Sequence, residues 1–484
     1  MKKLLCAVLA SAMLSGCAAA PAVTSAPAQT TGPVPATAPK AEDTVLIRLS
    51  DEGVQFPANS GIHTAEEAAA HAVVHITKPG TYALTGTLSA GQIAVDLGEE
   101  AKNDPNAVVT LILDGVDITC PSAPAVVFYN VYESGEPGGP AGARVILAEG
   151  SSNHVNGSHT EDYDGAFYSR MSMDISGAGS LHIDADNEGL CSEMHLTINS
   201  GEITIESGND GINANADGVS VVTVSGGALC VTVTGETGEG DGIDSNGSIV
   251  IKGGSVFAYA CGASPDSGLD ADMGIRIGGG TVIATGNMLD RIEDGSQTHA
   301  VFSFSQSQSG GSYALKREDG TALFEITPPN TFTSLLYSAP ALLESTYTLW
   351  SGDTQFEGVT GSGFRPMEPI DRPEFPDRGG DGDVEIPPQP TNPIVTQGTI
   401  QPPPEEQPEN MPVPPLPEDG GNMPVPPGIG EDSAQMPMPQ LPGGVMPPRD
   451  GSAMPPVQVV TGTRSTDFPI TKGANYFSMV RAAE

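Results

Sequence analysis

Asp210-Gly211-Ile212-Asn213-Ala214-Asn215, followed by Val221-Val222-Thr223-Val224 and, after Gly226-Gly227, by Ala228-Leu229-Cys230-Val231-Thr232-Val233, is one unit of a pattern that decides how this chain folds. Apolar residues alternate through the later runs, which is the period of a strand with one buried and one solvent face. Five such units open at Gly165, Gly189, Gly211, Gly242 and Gly268, separated by 24, 22, 31 and 26 residues. Each glycine is followed by an apolar or small residue: Ala166, Leu190, Ile212, Ile243, Leu269. Alternating strands follow, as in Ile249/Ile251 and Val256/Ala258 or Ile275/Ile277 and Val282/Ala284, with Gly253-Gly254 or Gly279-Gly280 at the corner between them. Three short faces per unit of about 25 residues cannot close a core alone, so units must stack around a shared apolar column. The spacing predicts an all-β chain wound as a parallel β-helix; a propeller blade needs about 40 residues.

Stacking converts the repeat into a surface map, because equivalent positions on successive units lie about 4.8 Å apart. Just before the repeat glycine stand Asp164, Glu188, Asp210, Asp241 and Ser267. Two places after it come Phe167, Cys191, Asn213, Asp244 and Asp270, and four places after it Ser169, Glu193, Asn215, Asn246 and Asp272. By parity the residues one and three places after the glycine point inward, and the acids are read as pointing outward. The expected cation site is therefore Asp210, Asn213, Asn215, Asp241, Asp244, Asn246, Asp270 and Asp272, with Asp266 close in sequence. Carboxylates about 4.8 Å apart repel by about 3.5 kcal/mol at an effective dielectric of 20. Such a patch calls for a counter-ion, and Ca²⁺, which takes six to eight oxygen ligands, fits the inventory. A structural reading competes: Asp-Gly is a preferred turn dipeptide and stacked Asn amides bond along an axis. It accounts for the position before glycine but not for the acids two and four places later.

Overall charge narrows the partners. Twenty Lys plus Arg against 60 Asp plus Glu give a formal net charge of −40. A field of that sign repels nucleic acid and anionic lipid surfaces. Lys2 and Lys3 precede an apolar run from Leu4 to Leu14, too short to span a bilayer and suited to a signal peptide. Leu14-Ser15-Gly16-Cys17 then resembles a bacterial lipobox, with Cys17 as the lipidated residue and the only membrane anchor. The expectation is an exported lipoprotein on the cell surface. Residues 18–41 read as an Ala/Pro/Thr tether, 42–290 as the β-helix, 291–361 as a small C-terminal β cap, and 362–484 as a disordered Pro-rich low-complexity tail holding 26 prolines between Pro366 and Pro456. Cys120, Cys191, Cys230 and Cys261 follow no metal-binding spacing, and His154 and His159 fall in what reads as a solvated polar loop.

Several segments resemble a known family. Gly80-Thr81-Tyr82, Leu111-Ile112-Leu113-Asp114-Gly115, Leu147-Ala148-Glu149-Gly150-Ser151, Asp241-Gly242-Ile243-Asp244 and Gly280-Thr281-Val282-Ile283-Ala284 are similar, in that order, to the bacterial carbohydrate-binding β-helix family of clostridial secreted proteins. The resemblance covers about Glu42 to Gly361. It implies a right-handed parallel β-helix related to pectate lyases, bound Ca²⁺ at Asp210, Asp241, Asp244, Asp270 and their neighbours, and binding of plant cell-wall polysaccharide, either polygalacturonate or cellulose. Phe167, Cys191 and Ser169 in the first two units confine the expected metal face to the last three.

For the glycan itself, Phe257 and Tyr259 fall at outward parity and are the candidate stacking platform, while Arg276 points outward one strand after Asp270 and Asp272. Arg170, Lys252 and Arg276 are the few basic residues on the units, and Arg276 or Lys252, which likewise follows Asp244, would supply the base of a calcium-dependent pectate-type lyase, the alternative activity. A structural surface adhesin is the third reading, suggested by the tether and the Pro-rich arm.

Overall fold

The computed structural model describes residues 44–67, 71–360 and 464–480. They form 33 strands in sheets of nineteen, nine and five, with one short 3-10 turn, Glu99–Asn103, among the described residues. The chain is all-β. Cys17, residues 18–41 and the prolines from 366 to 456 lie outside the described residues.

Each repeat unit gives one strand to the nine-stranded sheet and two to the nineteen-stranded sheet. In the unit quoted above these are Ile212–Ala214, then Val221–Val224 and Ala228–Val233. They pair in parallel with Ile243–Ser245, Ser248–Ile251 and Ser255–Tyr259, which pair in parallel with Leu269–Ala271, Gly274–Ile277 and Thr281–Gly286. Inward residues therefore meet their own kind: Ile212 with Ile243 and Leu269, Val222 with Ile249 and Ile275, Leu229 with Val256 and Val282. All belong to one apolar column and are buried, each worth about 1.5–3 kcal/mol on transfer from water.

Two features differ from the sequence reading. Gly165 pairs with Glu188 rather than Gly189, so the first unit is offset by one residue. Phe167 consequently faces inward opposite Leu190, and Tyr168 takes the outward place beside Cys191. The chain's end also departs from the expected tail. Phe468–Ile470 pairs with Ser345–Ser351, and Ala474–Val480 lies between His299–Gln308 and Glu357–Thr360. Alternation in Tyr476-Phe477-Ser478-Met479 lets this strand bury Phe477 and Met479 while Tyr476 and Ser478 stay half-buried.

The parallel series stops at Thr281–Gly286, whose next neighbour, Phe332–Ser338, runs antiparallel. From there a second core forms around Phe302, Phe332, Tyr337, Phe468 and Phe477. It covers the outward face of the adjoining strands. Phe257 and Tyr259 are caught beneath it, 5% and 6% exposed. Their outward parity is real, since Phe257 lies between Cys230 and Ile283, but the cap occupies that face and no sugar can stack there. His154 also corrects its expected place in a loop: it sits within the strand Ser152–Gly157.

Candidate functional site

One outward ladder on the nine-stranded sheet runs His75, Ala94, Val127, Tyr168, Cys191, Asn213, Asp244, Asp270. Its character changes midway. Ala94, Val127, Tyr168 and Cys191 form a small buried apolar cluster with Val73, packed against Tyr129 and Tyr163. From Asn213 onward the ladder is polar, then acidic. Along the adjacent pre-glycine positions, Glu188, Asp210 and Asp241 follow one another in the same direction, as the strand register requires.

Backbone geometry fixes how these acids point. Asp210 Oδ1 accepts the amide N–H of Asp241 at 2.7 Å, and Asp241 Oδ1 accepts that of Ser267 at 2.6 Å, so each carboxylate is tied to the next unit by one oxygen. Asn213 Nδ2 donates to Glu188 Oε1 at 2.8 Å and to Asp210 Oδ2 at 3.3 Å. Asp241, Asp244 and Asp270 then present carboxylate oxygens all within 4.8 Å of one another. Among the described residues no Lys or Arg forms an ion pair with Asp210, Asp241 or Asp244.

The remaining expected ligands fall around this trio rather than in it. Asp266 Oδ2 accepts the Gly240 amide at 2.6 Å and the Ser264 hydroxyl, which makes it a loop-shaping residue. Asn246 Nδ2 donates to the Asn215 carbonyl at 2.9 Å and to Asp217 Oδ1 at 3.0 Å, and Asn215 Nδ2 donates to Glu193 Oε1 at 3.2 Å. These amides bond along the stack, as an Asn ladder does. Asp272 is exposed at the rim. Arg276, 57% exposed at its side chain, lies 3.9 Å from Glu293. Glu188 is the residue missed: it stands in the pre-glycine series, and only its burial, 6% exposed, reveals that it belongs to the site.

Burial and like charge leave this group short of positive charge. Burial, reinforced by Asp210, pushes the Glu188 carboxyl up to about 8. Burial, then Asp210 and Asp270, push Asp244 to about 8. Asp241 rises well above its ordinary value through burial and the same two kinds of neighbour, and Asp210 rises to about 6, chiefly by burial. Glu188 Oε2 and Asn213 Oδ1 are buried without a hydrogen-bond partner. Orphaned oxygens beside three converging carboxylates are a donor set suited to a hard cation with oxygen ligands.

A pH dependence follows in chelator. A folded-state pKa raised above the unfolded value means the native state holds the proton more tightly, so that stabilisation is full below about pH 4 and is lost as pH rises through about 8. With EDTA present, the melting temperature should fall by several degrees between pH 5 and pH 8.5. Thermal melts by circular dichroism at four pH values read this directly; a flat or rising trend would remove the like-charge cluster as the cause.

A family model for carbohydrate-binding domain-containing proteins matches residues 70–318, just over half of the chain. A protein of that description from Acetivibrio thermocellus is 33% identical over 144 residues, which is 28% of this chain and 45% of the relative's length. Among solved structures, the polysaccharide lyase-like protein from C. thermocellum, as a gadolinium derivative, matches with a TM-score of 0.35 and 25% identity, covering 49% of this chain and 92% of that one. The repeat units and the acidic site both fall inside the span that the family model matches, and the chain belongs to the carbohydrate-binding domain-containing protein family.

Proposed function

We propose that this chain is an exported lipoprotein, anchored through Cys17, that binds polygalacturonate-type acidic polysaccharide in a Ca²⁺-dependent way on a right-handed parallel β-helix. The hand is the one that parallel strand crossovers overwhelmingly adopt, and a crystal structure reads it directly. The observation that carries the function is the convergence of Asp241, Asp244 and Asp270 within 4.8 Å on one face of the nine-stranded sheet. Those three would hold the ion, with Asp210 orienting Asp241 through its backbone and Glu188 buttressing Asn213. When bound, Ca²⁺ supplies the positive charge that lets two sets of carboxylates, protein and polyuronate, share one surface.

Residues of the chain also disfavour the neutral-glucan branch of this reading. Phe257 and Tyr259 lie under the cap, and a flat glucan face needs an exposed ring. Arg276 is the basic group nearest in sequence to the trio, but its outward strand position engages Glu293. Binding without cleavage is therefore the reading we adopt.

Its test uses the full chain incubated with polygalacturonate, cellulose or buffer, in Ca²⁺ or EDTA, with pull-down and absorbance of unsaturated product read together. Retention on polygalacturonate only in Ca²⁺, without growing absorbance, is expected; a Cys17→Ser variant should bind equally while leaving the membrane fraction. Retention on cellulose indifferent to Ca²⁺ would overturn the proposal, and product formation would make the protein a lyase.

A further inference from the structure

A second convergence of ligating atoms lies on the other large sheet. Asp117, His154 and His182 occupy one outward ladder across the neighbouring strands Val109–Cys120, Ser152–Gly157 and Ser180–Ala185. Asp184 follows two residues after His182, so both side chains leave the same face. The imidazoles of His154 and His182 stack at 5.3 Å with planes 23° apart. His154 Nε2 is 2.7 Å from Asp184 Oδ2, and His182 Nε2 is 3.0 Å from Asp184 Oδ1. His154 Nδ1 lies on the opposite side, 3.3 Å from Asp117 Oδ1.

We propose that His154, His182 and Asp184 form a binding site for a late first-row divalent cation of the Zn²⁺ class, with Asp117 as the positioning residue that orients His154. The parallel ladder brings two imidazoles from residues 28 apart in sequence to one carboxylate, and one ligand atom from each of the three lies within 4.8 Å of the others. Bonds of 2.0–2.1 Å in a tetrahedral site place ligand atoms about 3.3 Å apart, near the 2.7 and 3.0 Å that separate the two Nε2 atoms from the Asp184 oxygens. To bind, each neutral imidazole offers its Nε2 lone pair in the tautomer that carries the ring proton on Nδ1, and the second proton of any imidazolium passes to solvent. For His154 that Nδ1–H then points at Asp117, the carboxylate–histidine pairing that fixes tautomer and ring orientation in metal sites.

Charge and chemistry both separate this site from the acidic one. Two carboxylates, Asp184 and Asp117, balance a dication, and imidazole nitrogen favours Zn²⁺, Cu²⁺ or Ni²⁺ over Ca²⁺. The cluster is half-exposed, with side-chain accessibilities between 32% and 57%. A groove of about 330 Å³ opens beside it, lined by Asn156, Asp184, Asp186 and Glu206, and leaves room for water or a ligand group at the open coordination position.

Zinc titration of the full chain, carrying no polyhistidine tag and saturated with Ca²⁺, tests this by calorimetry, with Co²⁺ visible absorption reporting the coordination. One site is expected, weakened at least a hundredfold by His154→Ala/His182→Ala and about tenfold by Asp117→Asn, with calcium-dependent retention on polygalacturonate unchanged in both. Equal zinc affinity in the wild type and the double variant would overturn the proposal. Should the double variant melt early, Asp117→Asn decides alone, because it alters one exposed group without changing its size, and unchanged zinc affinity in it removes the assigned geometry. Failure of the calcium reading leaves the zinc affinities and the cobalt spectrum as the deciding outcomes.

Discussion

Asp244→Asn is expected to lower Ca²⁺ affinity by on the order of a hundredfold, since affinity in such sites is set by ligand charge count, and to reduce polygalacturonate retention in Ca²⁺ to its level in EDTA. Asp244 is the central member of its ladder, between Asn213 and Asp270, and its carboxylate lies within 4.8 Å of both Asp241 and Asp270. Asparagine keeps the shape and one oxygen but removes the charge. In chelator the same change should have the opposite sign, because asparagine replaces a carboxyl whose ionisation is disfavoured by burial and by the neighbouring Asp210 and Asp270. The variant should therefore melt higher than the wild type in EDTA at pH 8 and lower than it in Ca²⁺. A crossing of that kind separates loss of a ligand from general damage, which lowers both. Unchanged calcium affinity would place the ion elsewhere.

The parts of the molecule that the sequence exposes are those where one period governs both core and surface. Gly189, Gly211, Gly242 and Gly268 each mark the same register, so Asp210, Asp241, Asp244 and Asp270 could be aligned from spacing alone. The first unit could not, because the shift that pairs Gly165 with Glu188 follows a segment, 158–164, whose path no local signal fixes. Parity located Phe257 and Tyr259 on the outward face, yet parity describes direction and not cover. What covers them comes from strands 299–308 and 332–338 and from Phe468 and Met479, far away in sequence and, for the last two, beyond a proline-rich stretch that masks two short alternating runs. His154 and His182 were hidden for a related reason: sequence separation says nothing of adjacency until the strands carrying them are known to pair.

Gly211→Ala is expected to destabilise the fold by about 3 kcal/mol, the upper range for overpacking a tight interior, whereas Gly218→Ala should lose only about 1 kcal/mol. The contrast isolates the reason for the repeat glycine. A Cβ on Gly211 would lie 1.9 Å from Val231 Cγ1 and 2.7 Å from the Gly242 carbonyl oxygen. Gly189 meets Ile205 Cγ2 at 2.3 Å and the Gly211 carbonyl at 2.5 Å, and Gly242 meets the Gly268 carbonyl at 2.5 Å. At Gly189, Gly211 and Gly242 the turn into the nine-stranded sheet therefore crowds against the second long-sheet strand of its own unit and the backbone of the next. A valine side chain can rotate; a carbonyl held in the neighbouring unit's ladder cannot, so the strain passes along the stack. Gly218, by contrast, has φ +66° and open space around it, so alanine there meets only the left-handed backbone penalty. Urea denaturation of the two variants measures the difference. Because Asp210 and Asn213 flank Gly211, the same substitution should weaken calcium binding although it touches no ligand, while Gly218→Ala should leave it intact. Equal losses in both variants would mean that conformational freedom, not close approach, is why the unit opens with glycine.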